Sequence, residues 1–259
     1  MWCWTNAGWV TVFYSPSGDS DSVRRFLKDD PVRVVQCDGT SVTTFLDRAG
    51  GKRPGCWAHG RRRLVDAARS GDQIALIGLH IIARIFAVER AATLSDDTAE
   101  QRRARRDERT RPVLDELRAW IDDRRDVVPP KTPLGRGLGY LHLQWSRLML
   151  FLDEGNIEAT NNRRERRRLV MGRKNWLFTW LDRGGERTAR ILSTIASCIA
   201  HDVNPRAYLH LVPKLVVHGW PLAKLRELLP DRIVVSHPEL LVGDRDALDA
   251  PRELAALGA

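Results

Sequence analysis

Bulky apolar residues alternate with small or polar ones over the first twelve residues, and a glycine-containing turn at residues 6–8 interrupts the alternation. A period of two on both sides of such a turn is typical of a β-hairpin. A β-branched run at residues 32–37 then stops abruptly at Asp38, which a glycine follows. We therefore predict a hairpin and then a buried strand that places a carboxylate at its carboxyl end.

Between residues 72 and 152 the apolar positions recur at the spacing of a helix. Ser95, followed by two aspartates, predicts a helix start, and Pro112 predicts that a helix restarts there. The highly charged stretch 100–111 is most simply the solvated face of a helix. A proline-rich break then precedes a further helix at 134–152.

Further helices are predicted beyond this block. The asparagine pair at 161–162 is a good N-cap, which would place Glu165 in the first turns of a helix. Another helix opens at Gly184, and a shorter helical part ends at Pro230. The order of the elements predicts an α/β core that is interrupted by an all-helical insertion.

The charge of the chain indicates a nucleic-acid partner. The formal net charge is +9, the sequence pI is about 9.9, and 36 of the 42 basic residues are arginine. Arginine stays charged and makes bidentate contacts with phosphate groups. The alternative explanation is a genome whose base composition favours arginine codons.

The chain carries no sign of a membrane or secretory destination. It contains no uncharged apolar run of about eighteen residues and does not open with a basic segment before an apolar core. Its four cysteines are widely scattered, which favours free thiols over a disulfide framework. We therefore expect no membrane partner and a cytoplasmic protein, associated with the nucleoid if DNA is the partner.

Two carboxylates are predicted at places where metal-dependent chemistry could use them, Asp38 at a strand end and Glu165 at a helix start. Carboxylate oxygens suit Mg²⁺ or Mn²⁺, and phosphoryl transfer by two metal ions needs several carboxylates that converge on one point. Each residue also has a plainer explanation. Asp38 could be an ordinary turn residue, and Glu165 could simply complement the dipole of its helix.

The surroundings of Glu165 favour DNA binding. Five arginines flank it, and their like charges repel unless an anion such as a phosphate neutralises them. The aromatic residues that follow could stack on unpaired bases, although a solvated face and core aromatics are the alternatives. The residues predicted to contact DNA are His59, Arg61, Arg62, Arg163, Arg166, Arg167, Arg173, Lys174, Asn175 and Trp176.

Cys56 and His59 have the spacing of half a zinc site, but no second pair of Cys or His residues at suitable spacing accompanies them. His59 stands directly before a glycine and three consecutive arginines. It is therefore better interpreted as a phosphate-facing residue or a packed histidine than as a zinc ligand.

Several stretches occur together in a specific order, although each alone is common. They are Tyr14–Ser17, Gln36–Gly39, Cys56–Arg62, Asn161–Arg166, Gly172–Phe178, Gly184–Arg187 and Asn204–Leu209. With this combination the chain resembles the transposases of the bacterial insertion sequence 66 family, from about residue 1 to about residue 230.

The resemblance implies a ribonuclease-H-like catalytic domain whose Asp-Asp-Glu triad holds two Mg²⁺ or Mn²⁺ ions. It makes Asp38 the second acid and Glu165 the third, with Glu158 as a fallback for the third. The implied partners are transposon ends and target DNA, together with further copies of the chain or a full-length transposase. The implied divisions are 1–71 and 154–201 for the two parts of the catalytic domain, 72–153 for the helical insertion, 202–230 for a helical segment and 231–259 for an unmatched tail.

The resemblance also places the first acid, and the strand that carries it, upstream of the hairpin with which this chain opens. We therefore expect a ribonuclease-H-like core that lacks its first strand, and a chain that is inactive alone. One alternative is a non-catalytic remnant that binds DNA or interferes with a full-length transposase. Another is a pseudogene product that does not fold stably.

Overall fold

The computed structural model of the chain describes residues 2–5, 10–27, 34–48, 50–161 and 181–242. They fall into two compact units, one of Gly18–Arg163 and one that combines Met1–Ser17 with Arg164–Ala259. The strands are β1 (Trp2–Thr5) and β2 (Val10–Phe13). The α-helices are α1 (Ser20–Leu27), α2 (Phe45–Arg48), α3 (Trp57–Arg69), α4 (Ile74–Leu94), α5 (Ala99–Arg105), α6 (Arg111–Arg125), α7 (Pro133–Leu143), α8 (Trp145–Met149), α9 (Asp182–Ala200) and α10 (Pro205–Val217).

The unit Gly18–Arg163 is built around the helices α3, α4, α6 and α7. Leu64, Ile82, Leu117 and Leu138 are completely buried in their shared core. Trp57 is also completely buried, and its indole N–H donates to the Leu148 carbonyl oxygen at 3.1 Å, so the large ring leaves no polar atom unpaired. The predicted helical character of this part of the chain is confirmed.

The predicted helix start at Ser95 is wrong, because Ser95 follows the last residue of α4 and caps it. The next helix begins three residues later, where the Thr98 side chain accepts from the Gln101 amide and the Gln101 side chain accepts from the Thr98 amide. Between the two helices Asp96 has a φ of 52°, a left-handed conformation that ends a helix. The reciprocal cap at Thr98 satisfies two main-chain amide groups at the start of α5.

The prediction of a solvated face at 100–111 is wrong for Arg106, which is completely buried. A π-helical turn, Arg106–Thr110, joins α5 to α6 and turns this side chain inward. The guanidinium donates to both carboxylate oxygens of Glu89, at 2.7 and 2.8 Å. It also donates to three main-chain carbonyl oxygens, those of Phe151, Glu154 and Ile157. Arg106 thus links the 151–157 loop to α4, which carries Glu89, through hydrogen bonds.

In the other unit β1 and β2 form the predicted hairpin, with Cys3 opposite Val12 in an antiparallel register. Helix α9 packs on β2, and its serine hydroxyls form hydrogen bonds with main-chain groups on the side of the strand that faces away from β1. Ser193 accepts from the Val12 amide at 2.8 Å and donates to the Val12 carbonyl oxygen at 2.9 Å. Ser197 donates to the Val10 carbonyl oxygen at 3.1 Å. Side chains of a helix therefore take the place of a neighbouring strand.

The described residues are mostly helical, and the expected ribonuclease-H-like α/β core is not confirmed. Within them the one sheet is the hairpin. Of the predicted strand at 32–37, residues 32–33 lie outside the described residues, and Val34 forms a single parallel bridge with Lys52. The pairing continues only as far as the hydrogen bond from the Cys37 amide to the Pro54 carbonyl oxygen at 3.2 Å. Pro54 and a following glycine prevent a regular partner strand. The five predicted divisions of the chain stay predictions.

None of the helices in the described part of the chain combines the length and apolar character needed to cross a bilayer. The described cysteines Cys37, Cys56 and Cys198 carry free thiols.

Cys198 and Tyr208 lie in a small core beside Val203 and Ile233, and the Tyr208 hydroxyl donates to the Leu228 carbonyl oxygen at 2.7 Å. Burial raises the pKa of the Cys198 thiol to about 12 from its ordinary value of 9.0. Above pH 9 the unfolded chain releases this proton while the folded chain keeps it, so the stability of the unit falls as the pH rises toward 12. Tyr208 acts in the same direction from pH 10 upward, because burial raises its pKa to about 12.

We expect Cys198→Ala to flatten the decline of the melting temperature between about pH 8 and pH 11, because alanine has no proton to lose. Thermal unfolding at a series of pH values measures this slope. The comparison concerns slopes, since removal of the sulfur also lowers the stability at every pH. A variant whose melting temperature falls as steeply as that of the unaltered chain would contradict the assignment to Cys198.

Candidate functional site

The candidate site begins at the Asp38–Gly39 turn, where the short pairing of residues 34–37 ends. Gly39 has a φ of +84°, a conformation that a side chain would strain. The Asp38 side chain is exposed, and one of its oxygens accepts from the Thr40 amide at 3.3 Å. The carboxylate therefore faces solvent at the predicted position.

Two residues near the C-terminal end of α7 contact this turn. The Tyr140 hydroxyl donates to the Asp38 main-chain carbonyl oxygen at 3.1 Å. The Gln144 side chain lies against Gly39, so that a Cβ placed on Gly39 would be 3.1 Å from its Cδ and Oε1 atoms. Burial raises the pKa of Tyr140 to about 12, so its phenol remains a hydrogen-bond donor at neutral pH.

The first turns of α3 bring basic residues to the same place. The Arg63 guanidinium lies 4.5 Å from the centroid of the Tyr140 ring, a cation–π contact. Arg61 and Arg62 are exposed, and neither forms an ion pair with a described residue. They are therefore available to an anion from solution.

His59 lies within the electrostatic reach of both Asp38 and these arginines. Burial lowers the pKa of His59, and Arg62 and Arg63 act in the same direction against the opposing charge of Asp38. Its Nδ1 is buried and has no hydrogen-bond partner among the residues that the structure describes. His59 is thus a half-buried imidazole whose charged form is disfavoured by burial, and its unpartnered Nδ1 is enclosed by the protein.

A third segment, residues 158–161, is bound to the same strand end. The Gln36 side-chain amide donates to the Glu158 carbonyl oxygen at 2.6 Å, and the Trp57 amide donates to the Ala159 carbonyl oxygen at 3.0 Å. The Cys56 thiol donates to the Asn161 side-chain oxygen at 2.9 Å. In the sequence Glu165 follows Asn161 by four residues, outside the described ranges.

Asp38 differs from Asp47 and Asp97, two other acids of the Gly18–Arg163 unit, in the partners of its carboxylate. Asp47 accepts from Arg53 and Arg147, and the hydrogen bond from Arg53 is the main cause that lowers the pKa of Asp47. Asp97 is likewise committed to Arg105 at 2.6 and 2.9 Å. Asp38 forms no ion pair with any residue in the described ranges. Its carboxylate can therefore take a cation that the other two cannot.

The structure locates only some of the predicted site residues. Asp38 and His59 lie close together, with Arg62 beside them, while Arg61 is exposed on the same helix. Glu165 and seven of the predicted DNA contacts lie outside the described residues: Arg163, Arg166, Arg167, Arg173, Lys174, Asn175 and Trp176. No group of three His, Cys, Asp or Glu residues that could hold a metal ion occurs in the part of the chain that the structure describes.

The site also contains residues that the sequence analysis did not select. Tyr140 and Gln144 come from a helix about a hundred positions away, and Gln36 and Asn161 act through side-chain amides. For Asn161 the sequence does offer a signal, because this residue is predicted to cap a helix. For Tyr140 and Gln144 the sequence offers no local pattern, because their role depends on how α7 packs against the Asp38–Gly39 turn.

Comparison with known proteins provides relatives of the chain. Residues 1–187 match the family model described as Transposase IS66 family. The alignment to uncharacterized protein y4hP of Sinorhizobium fredii is 31% identical over 191 residues and covers 68% of this chain and 34% of that protein. Uncharacterized protein y4jD of the same organism is 32% identical over 208 residues, with 76% and 40% covered. The chain thus spans between about a third and two fifths of the length of these relatives. No solved structure matches the chain.

Proposed function

Because the chain belongs to the IS66 transposase family, we propose that it is part of a DNA transposase that cuts and joins strands with metal ions held by carboxylates. In this proposal Asp38 and Glu165 are two of the metal-binding acids. The substrates are a phosphodiester at the transposon end, which is hydrolysed, and target DNA, to which the freed 3′-hydroxyl is joined.

The observation that carries the proposal is the state of the Asp38 carboxylate. It is exposed, free of ion pairs with the described residues and placed on a turn that two residues at the C-terminal end of α7 contact. A hard, charged oxygen in this state suits Mg²⁺ or Mn²⁺. When bound, such ions make a water or hydroxyl a stronger nucleophile and stabilise charge on the phosphate oxygens.

The other residues of the site have roles that follow from their charge. Asp38 supplies a ligand oxygen, and the exposed guanidinium groups of Arg61 and Arg62 bind backbone phosphates of the DNA. His59 lies on the same helix as these arginines, and its role as a DNA contact remains a prediction. Assembly with further copies of the chain or with a full-length transposase, and association with the nucleoid, remain predictions.

A second candidate is a DNA-binding protein without catalytic activity. The observation that favours it is the exposed pair Arg61 and Arg62 on α3, which form no ion pair with a described residue. In the ranges that the structure describes, no three metal-ligating residues come together. This candidate requires salt-dependent DNA binding and no role for a metal ion.

Asp38→Asn tests the choice between the two. We expect this variant of the full chain to bind Mn²⁺ at least about ten-fold more weakly, because the loss of a direct ligand should cost no less than the loss of an outer-shell partner. Calorimetric titration with Mn²⁺ measures the affinity. Asp66→Asn is the matched control, since Asp66 is an exposed carboxylate on the neighbouring helix α3. Equal Mn²⁺ affinity of both variants, together with retained DNA binding, would replace the first candidate by the second.

A further inference from the structure

We propose that Tyr140 and Gln144 are positioning residues that fix the Asp38–Gly39 turn, so that the helical segment 133–149 controls where the Asp38 carboxylate points. The inference rests on the metal-binding role proposed for Asp38. The helical segment 133–149 supplies no acid to the site, yet in this inference it acts directly on the site.

The contact of Tyr140 is directed at the main chain. Its hydroxyl donates to the Asp38 carbonyl oxygen at 3.1 Å, whereas the Asp38 carboxylate accepts only the Thr40 amide among the described residues. Tyr140 therefore holds the turn through the turn's main chain and does not use the second oxygen of the Asp38 carboxylate. A metal ligand requires such an available oxygen. Arg63, whose guanidinium stacks on the Tyr140 ring, restricts the ring itself.

Gln144 acts on the other residue of the turn. Gly39 is held in a left-handed conformation, and the Gln144 side chain lies so close that a Cβ on Gly39 would be 3.1 Å from its Cδ and Oε1 atoms. The position of that side chain is in turn fixed, since its Oε1 atom accepts from Arg147 at 3.4 Å, and Arg147 also donates to Asp47 at 3.2 Å. Tyr140 and Gln144 are four residues apart in the chain, which places them on the same side of the helix. They therefore contact Asp38 and Gly39 together, as one rigid unit.

The placement of α7 supports this rigidity. A Cβ on Gly60 would approach Leu141 closely and lie 3.8 Å from the Tyr140 ring, and a Cβ on Gly137 would lie 3.1 Å from Leu64. Small residues on both helices thus let α3 and α7 approach at short distance. A shift of α7 would therefore move Tyr140 and the turn together.

The test uses Tyr140→Phe in the full chain, which removes one hydroxyl and keeps the ring under Arg63. Tyr208→Phe is the matched control, because it also removes a hydroxyl that donates to a main-chain carbonyl oxygen, but in the other unit. The readouts are amide hydrogen exchange of residues 38–40 and calorimetric titration with Mn²⁺. We expect Tyr140→Phe to speed exchange at these amides and to weaken Mn²⁺ binding about ten-fold, as the loss of outer-shell partners does. We expect Tyr208→Phe to lower the melting temperature and to leave both readouts unchanged.

The outcomes separate the inference from the proposed function. If Asp38→Asn weakens Mn²⁺ binding and Tyr140→Phe changes neither readout, the positioning role is wrong and the metal-binding role of Asp38 stands. If Tyr140→Phe speeds the exchange but neither Asp38→Asn nor Tyr140→Phe alters Mn²⁺ binding, Tyr140 holds the turn for a purpose other than metal binding, and the proposed function fails. Equal effects of Tyr140→Phe and Tyr208→Phe on Mn²⁺ affinity would overturn the inference, because they would reflect general destabilisation.

Discussion

Arg106→Met is expected to lower the free energy of unfolding of the Gly18–Arg163 unit by about 3–5 kcal/mol, as measured by urea denaturation. The guanidinium is completely buried, and the Glu89 side chain is only 14% exposed. Methionine fills a similar volume but leaves the Glu89 carboxylate without its counter-charge. It also removes the donor for three carbonyl oxygens of the 151–157 loop. Loss of one partner of a buried pair costs far more than the pair contributes as a whole.

Arg111→Met is the control for this substitution. Arg111 pairs with Asp107 at 2.7 Å across one helical turn, but both side chains are about half exposed. An exposed pair of this kind contributes about 1 kcal/mol or less. Equal losses of stability in the two variants would mean that Arg106 is not a buried anchor of the 151–157 loop.

Gly135→Ala is expected to destabilise the same unit by about 1–3 kcal/mol. A Cβ at Gly135 would collide with the carbonyl oxygen of Pro129 and lie 2.8 Å from the Cα atom of Pro130. Both are main-chain atoms of a proline-rich loop, so no flexible side chain can move aside. Because Gly135 is near the start of α7, the strain also displaces the helix that carries Tyr140.

Gly139→Ala, in the same helix, is the control. A Cβ at this position meets no atom within 4 Å. Since alanine favours the helix over glycine, we expect a stabilisation of about 0.5–1 kcal/mol. Denaturation curves of the two variants under identical conditions give the comparison. A stabilised Gly135→Ala variant would show that the start of α7 does not lie against the Pro129–Pro130 loop.

Local patterns in the sequence are sufficient to predict the elements whose formation depends mainly on residues close together in the chain. The hairpin follows from alternation around a glycine turn, and the helices of the Gly18–Arg163 unit follow from the spacing of their apolar residues. Asp38 was found because a β-branched run ends in front of it. The patterns were insufficient where a competing local arrangement existed, as at Ser95, because a reciprocal cap forms three residues later at Thr98.

Long-range packing explains the remaining differences. Arg106 was assigned to a solvated face because its neighbours are charged, and only the π-helical turn reveals that its side chain points inward. Tyr140 and Asp38 are 102 positions apart, and the hydrogen bond between them depends on how the end of α7 lies against the Asp38–Gly39 turn. No periodicity within either segment contains that information.

The serine hydroxyls of α9 also determine in which direction the hairpin can be extended. Ser193 already binds the amide and the carbonyl oxygen of Val12, and Ser197 binds the carbonyl oxygen of Val10, on the side of β2 that faces away from β1. An incoming strand on this side would have to displace both hydroxyls and the helix behind them. A protected edge of this kind opposes β-sheet aggregation through β2. Any strand that enlarges this sheet, from this chain or another, must therefore pair along β1.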